Sequence, residues 1–421
     1  MMQPIQRIRS ISFFGVLVNF FNLSIFQGAS LLLQFLAIPL ITRTYGMAVF
    51  GETVLATSFA VFLGGFTNYG THQTAIKEVA TSVNNKPYLA ALFYKVLFFR
   101  SYAALITLPA IMAMYCLYPS LPIWLWLSIV PLVLAEVFNP LYFLIGIQKI
   151  EWISWGNLLV KLISLVALWL LPLHSNIAAS INMIMGVPVL CYYAVITIII
   201  VKKEALHFSR PSKNALLQLA KENFYIMFNG VAVALQQSIF LFAVAGFVPP
   251  QTLGAYSVVD KLLGAVRQLV SSFSNALYPR AAQFYAVSTS KWVGFKTQIN
   301  KGYAIVFGLA AVVIYVGAPQ IVWLLTGAIH TPQALQTIGF IQLFAAAPLV
   351  LALNANNVLT LLLQHKYAAL FYISVFILVA TALLSALLIF SGSSLVLGWY
   401  PFVIEMVCLG IYTYYIQQKV K

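Results

Sequence analysis

The sequence predicts an all-α membrane protein of about twelve transmembrane helices, arranged as two six-helix lobes around a central cavity. Three observations carry that reading: a composition too apolar to face water, apolar runs of spanning length, and basic residues confined to alternate connections. Of the 421 residues, 62% are hydrophobic and 7% charged, whereas soluble domains carry roughly a quarter charged residues. At about 20 residues per span the helices and their short loops use up this length, leaving no room for a sizeable soluble domain.

Apolar runs bounded by Pro, Gly, Asn or charge clusters place the spans at 18–42, 47–71, 89–117, 121–147, 152–172, 177–201, 222–247, 253–278, 298–325, 335–363, 367–390 and 394–417. The first reads as an uncleaved span rather than a signal peptide, because Gln27, Ser30 and Gln34 interrupt it and no small-residue cleavage site follows. Pro39, Pro131, Pro140 and Pro348 fall inside spans, where a missing N–H and a ring clash bend a helix.

Scoring alternate connections for Lys and Arg sets the orientation. With the N-terminus cytoplasmic, seventeen basic residues (Arg7, Arg9, Lys77, Lys86, Lys149, Lys202, Lys203, Arg210, Lys213, Lys221, Arg280, Lys291, Lys296, Lys301, Lys366, Lys419 and Lys421) fall on the cytoplasmic side and Arg43 alone on the other. An error of one span would scramble this alternation, so both termini are expected in the cytoplasm. The same bias supplies most of the +15 net charge. Topology and attraction to anionic membrane lipid account for these loop residues, and no nucleic-acid partner is expected.

The longest cytoplasmic connection, 202–221, divides an N-terminal six-helix lobe, 1–201, from a C-terminal one, 222–421. The halves echo each other: a polar-punctuated helix near Asn19 or Asn223, then Phe50-Gly51 or Leu253-Gly254 opening the next helix, then a polar exit at Thr67-Asn68 or Ser274-Asn275. An even number of spans per half makes this a parallel repeat about an axis along the membrane normal.

Motifs for catalysis are missing. Cys116, Cys191 and Cys408 lie in apolar runs without paired spacing, so no disulfide framework or metal site is expected. No Walker loop or H-E-x-x-H occurs, the five histidines sit scattered at span ends, and the outer loops are short. The chain is not expected to be an enzyme or to hold a cofactor.

Charges inside the spans are the informative residues. Five bases (Lys95, Arg100, Lys161, Lys261, Arg267) and three acids (Glu136, Asp260, Glu405) lie there; at about 2.5–3.5 kcal/mol each for a central position, they must face water or one another. Lys95 and Arg100 stand towards the cytoplasmic part of the third span, within snorkelling reach of the headgroups. Lys161, Glu136 and Glu405 sit near mid-span, where an ion pair between helices explains each as well as a transport role does. In the eighth span Ser257, Asp260, Gly264, Arg267, Ser271 and Ser274 recur at three- or four-residue steps and form one polar stripe, with Lys261 about 100° away.

Amides add to this. Asn19, Gln27, Ser30 and Gln34 share an arc of the first span, Asn229 and Gln236 lie in the seventh, and Asn354, Asn357 and Gln364 in the tenth. Each amide presents donor and acceptor together, which suits hydroxyl-rich solutes, although amides also tie helices together.

Gln34-Phe-Leu-Ala-Ile-Pro-Leu-Ile-Thr-Arg-Thr-Tyr-Gly46 with Phe50-Gly51, and Leu253-Gly-Ala-Tyr-Ser257 running through Lys261 to Ala276-Leu-Tyr-Pro-Arg280, resemble the Wzx-type lipid-linked oligosaccharide flippases of the multidrug/oligosaccharidyl-lipid/polysaccharide exporter (MOP, MATE-like) superfamily. Met47-Ala48-Val49 stands where a Pro-Glu pair commonly follows the glycine. The resemblance implies an undecaprenyl-diphosphate-linked O-antigen or related repeat unit moved across the bacterial inner membrane, with polymerase and ligase partners. On that reading Arg100, Lys161, Lys261 and Arg267 serve the phosphates, Gln34, Asn229, Gln236 and Asn357 the sugars, and Asp260, Glu136 or Glu405 couple the cycle to H⁺ or Na⁺. A multidrug antiporter of the same superfamily is expected to prefer an acidic chamber. The Gly/Asp/Arg-rich connection usual after the second span of a major-facilitator sugar transporter is missing between 71 and 87.

Overall fold

The computed structural model describes residues 13–170, 175–364, 366–390 and 394–417, and among these no strand occurs. Several of the polar positions singled out above lie outside the described residues: Arg7, Arg9, His174, His365, Lys419 and Lys421, and the side chains of Asn19, Gln27, Ser30, Asn229, Asn275 and Arg280.

The first two expected spans are one element, α1 (Phe13–Asn68), broken only at Gly46, whose φ of 88° and ψ of 168° no other residue adopts readily. A short amphipathic helix, α2 (Thr71–Thr81), follows Gly70, itself left-handed at φ 72°. The expected spans leave 72–88 as a connection, whereas the structure makes most of it helical. Next come α3 (Lys86–Leu117) and the fourth expected span, divided into α4 (Ile123–Leu127), α5 (Val130–Phe138) and α6 (Leu141–Gly146). The first half ends with α7 (Ile150–Leu170) and α8 (Ile177–Lys203).

The second half contains α9 (Lys213–Ala245), α10 (Pro250–Val287), α11 (Thr289–Thr326), the pair α12 (Pro332–Phe344) and α13 (Ala347–Leu363), α14 (Tyr367–Phe390), and a 3₁₀ turn, Ser394–Trp399, leading into α15 (Tyr400–Gln417). Helix α9 starts inside the expected linker, so the non-helical connection runs only from 204 to 212.

By length and apolarity, eight helices among the described residues can cross a membrane, or nine counting the bent pair within α9. The tally takes both spans of α1 together, and α10 with its charged stripe and α15 stand outside it. The order of the helices is consistent with the twelve expected spans. Pro131, Pro140 and Pro348 start new helical segments, where a residue without N–H is tolerated; Pro39 lies inside α1.

Helix α1 joins the halves. It packs on α3, α5, α7 and α8 of its own half and on α9, α10 and α11 of the other. Its contact with α10 falls on the repeated motif: a Cβ on Gly254 would lie 1.9 Å from the Met47 carbonyl oxygen, and one on Gly51 2.6 Å from the Gly254 nitrogen. The glycines of the two matching motifs thus touch each other.

Candidate functional site

Between the halves lies a cavity of about 770 Å³, a size suited to a ligand headgroup rather than a lone ion. Its wall is drawn from α1, α2, α5, α7, α8, α9 and α10. Of the expected residues, Gln34, Glu136, Lys161, Asp260, Lys261 and Arg267 line it. Three cations and two carboxylates from three helices, α5, α7 and α10, therefore share one space.

Helix periodicity explains what α10 contributes. Asp260, Gly264 and Arg267 succeed one another on the lining face with Lys261 beside them, while Ser257 is buried, its hydroxyl donating to Leu253 O of its own helix at 2.8 Å. The outward continuation of the predicted stripe is thus sealed in packing. Gly264 and Gly230 both line the cavity, and a Cβ on either would meet open space.

Other expected residues stand elsewhere. Arg100 is 1% exposed and does not reach the cavity wall. Its guanidinium donates to Thr71 Oγ1 (2.9 Å), Glu136 O (3.2 Å), Asn139 O (2.8 Å) and Asn68 Oδ1 (3.5 Å), above the Tyr142 ring at 5.1 Å. Pro140 lacks an N–H and the α5–α6 break frees carbonyls there, so a buried cation satisfies them. Snorkelling is not what Arg100 does. Glu405 is also behind the wall, accepting from Arg267 Nη2 at 3.4 Å and from Asn354 Nδ2 at 2.8 Å. Asn357 accepts from Lys296 Nζ at 2.8 Å inside the second half. For Gln236, the wall is formed instead by its neighbours Gln237 and Ser238, one and two helical steps of about 100° away.

Sequence reasoning missed several lining groups, namely Asn68, His72, Gln73, Thr57, Ser58 and Ser164. Asn68 carried a signal as the polar exit of the repeat, and its Oδ1 also accepts from His72 N at 3.1 Å, fixing the turn from α1 into α2.

The cavity is closed at the Gly51–Gly254 end. Thr42 Oγ1 donates to Leu325 O and Arg43 Nη2 to Trp323 O (3.0 Å) and Leu324 O, all in α11, while Tyr118 Oη reaches Phe242 O at 2.5 Å in α9. Phe242 also packs edge-on against Phe59 and Phe62. At the other end the described side-chain bond between the halves is Thr74 Oγ1 to Asn223 Oδ1, 2.8 Å. On the expected cytoplasmic surface, Glu204 accepts from Lys149 Nζ (2.8 Å) and Lys86 Nζ (2.5 Å), and these ammonium groups hold its carboxyl below the usual carboxylate range.

Comparison with known proteins agrees with this architecture. A family model described as "Polysaccharide biosynthesis protein" matches residues 16–285. A protein of Escherichia coli (strain K12) named "Putative O-antigen transporter" is 23% identical over 389 residues, covering 90% of each chain. Among solved structures, the inward-facing conformation of a multidrug resistance MATE family transporter of the MOP superfamily superposes with a TM-score of 0.72 at 13% identity, covering 92% of this chain and 97% of the other. The lipid II flippase MurJ in an inward closed conformation gives 0.72 at 12% identity, over 95% and 88%. The fold is thus that of the MATE and MurJ transporters, and the chain, a multi-pass membrane protein, belongs to the polysaccharide biosynthesis protein family.

Proposed function

We propose that this protein flips undecaprenyl-diphosphate-linked O-antigen or related polysaccharide repeat units across the bacterial inner membrane, its halves rocking about the cavity in alternating access. The observation that carries the proposal is the convergence of Lys161, Lys261 and Arg267 on one cavity between the halves. A diphosphate and a chain of hydroxyls cannot cross hydrocarbon bare, because each desolvated polar group costs several kcal/mol. Cations that replace water around the phosphates, and amides and hydroxyls such as Gln34, Asn68, Gln73 and Gln237 around the sugars, remove most of that barrier. The lipid tail stays in the bilayer.

The O-antigen relative and the lipid II flippase support this substrate class. A cationic drug would favour a wall with surplus carboxylates, and this wall has three cations to two. Asp260 and Glu136, which face the cavity, are the proposed H⁺ or Na⁺ coupling groups, while Glu405 acts through its contact with Arg267. The basic bias of the connections supports cytoplasmic termini. Delivery on the far leaflet would serve a polymerase or ligase of the same pathway.

The test is deletion of the gene. Surface glycan should disappear and lipid-linked repeat units accumulate in the inner leaflet, both restored by the intact gene. Unchanged surface glycan in the deletion strain would refute the proposal.

A further inference from the structure

The residue that departs from the charge pattern is Arg43, the one base among eighteen in the termini and connections placed on the outer side. Translocated segments shed basic residues, so its retention there calls for a use. The structure supplies one. Arg43 ends the first helical stretch of α1, three residues before the Gly46 break, and reaches across to the other half of the protein. There α11 stops at Thr326, with Gly327 left-handed at φ 76°. The last carbonyls of a helix lack partners of their own and carry a partial negative charge. Arg43 Nη2 donates to one of them, Leu324 O, and also to Trp323 O, which already accepts from Gly327 N at 2.8 Å, while Thr42 Oγ1 donates to the next, Leu325 O. The first half thereby caps a helix of the second.

Position gives this cap its consequence. Ile41 and Phe50, flanking the capping residues and the glycine break, line the cavity, and the Gly51–Gly254 contact lies beside them. Thr42 is buried and Arg43 exposed next to this part of the wall. We infer that Arg43 is the outer latch of the transport cycle: its bonds to the α11 terminus hold the cavity shut on the outer side, and they must break before the halves part there. The charge is suited to this role because one guanidinium nitrogen, Nη2, serves two carbonyls at once, yet Arg43 is exposed, so water can replace the bonds as they break. The inference rests on the alternating-access reading, although its test needs no glycan.

The experiment places a reporter thiol in the cavity by Thr57→Cys, with the exposed Cys116 and Cys191 replaced by serine. A membrane-impermeant maleimide is then applied to intact protein from the Arg43 side. Arg43→Ala should raise the labelling rate roughly tenfold over the Arg43 parent, the ratio that about 1.4 kcal/mol of lost hydrogen bonding gives. Arg43→Lys, which keeps the charge and loses the planar guanidinium, should fall between the two. Thr42→Val, which keeps the shape and loses the hydroxyl's bonds to Leu325 O and to Ile38 O of its own helix, should give a smaller rise and serves if Arg43→Ala does not reach the membrane. Equal labelling rates for folded parent and variants would overturn the latch. Because no glycan is present, that outcome would leave the substrate proposal untouched, and a failed substrate proposal would leave the labelling result standing.

Discussion

Arg267 is the cavity cation whose removal separates a conduit from a structural ion pair. Its Nη2 lies 3.4 Å from Glu405 Oε1, with the two side chains 24% and 10% exposed, and Asn354 Nδ2 serves both Glu405 Oε2 (2.8 Å) and Glu405 O (2.9 Å). Arg267→Ala therefore withdraws a cation from the cavity and strands a buried carboxylate. Breaking a buried pair costs about 3–5 kcal/mol; with Asn354 still bonded and the pair long, about 2 kcal/mol of stability is expected here. Losing a charged hydrogen bond to phosphate costs about 1.5–3 kcal/mol, or roughly ten- to hundredfold in transport at about 1.4 kcal/mol per decade. Arg267→Ala with Glu405→Gln removes the stranded charge and keeps the cavity short of its cation. Thermal unfolding should recover in the double variant, while flipping of a fluorescent lipid-linked glycan in vesicles should stay at least tenfold slow. A double variant that flips at the wild-type rate would show that Arg267 only neutralises Glu405, and would refute the reasoning.

Gly254→Ala should lower the unfolding temperature in detergent, by roughly 1–3 kcal/mol of overpacking, because a methyl 1.9 Å from the Met47 carbonyl oxygen meets backbone that cannot turn aside. Arg100→Gln should reduce the yield of folded protein on size-exclusion chromatography, since several buried acceptors lose their donor at about 1–3 kcal/mol each. The half-saturating glycan concentration of the molecules that do fold should not change, because Arg100 stands behind the wall. Glu204, whose carboxyl is held below its ordinary value of 4.5 by Lys149 and Lys86, adds stability at neutral pH that disappears as pH falls through its depressed value. The unfolding temperatures of wild type and Glu204→Gln should accordingly differ at pH 7 and converge below that range.

Spans were legible because a helix in lipid needs a long apolar run and the cost of a buried charge keeps Lys and Arg out of it. That same cost marked Lys161, Lys261, Arg267, Asp260 and Glu136 as groups that must face water or one another, and the structure puts all five on the cavity wall. It could not separate them from Arg100, because a buried cation is stable either in a wet cavity or among carbonyls freed by a helix break, and the break at Pro140 is a three-dimensional fact. Amides were harder. Gln236 and Gln237 are chemically alike and differ by one helical step, so only the packed position of α9 decides which faces the cavity. Asn357 was lost to Lys296, assigned from sequence to a loop although it lies within α11. The paired glycines could be read as a repeated motif, but that they touch each other followed only from the arrangement of the halves.

The central claim, that cavity cations carry a phosphorylated glycan lipid between leaflets, is tested most directly by flipping in vesicles containing only the purified protein. Two lipids with the same glycan should be compared, one joined through diphosphate and one through an uncharged linkage, with wild type beside a variant carrying Lys161→Gln, Lys261→Gln and Arg267→Gln. The account predicts rapid movement of the diphosphate lipid by wild type alone, with the uncharged lipid favoured by neither protein. Equal transport of both lipids by wild type, or undiminished diphosphate transport by a folded triple variant, would contradict it.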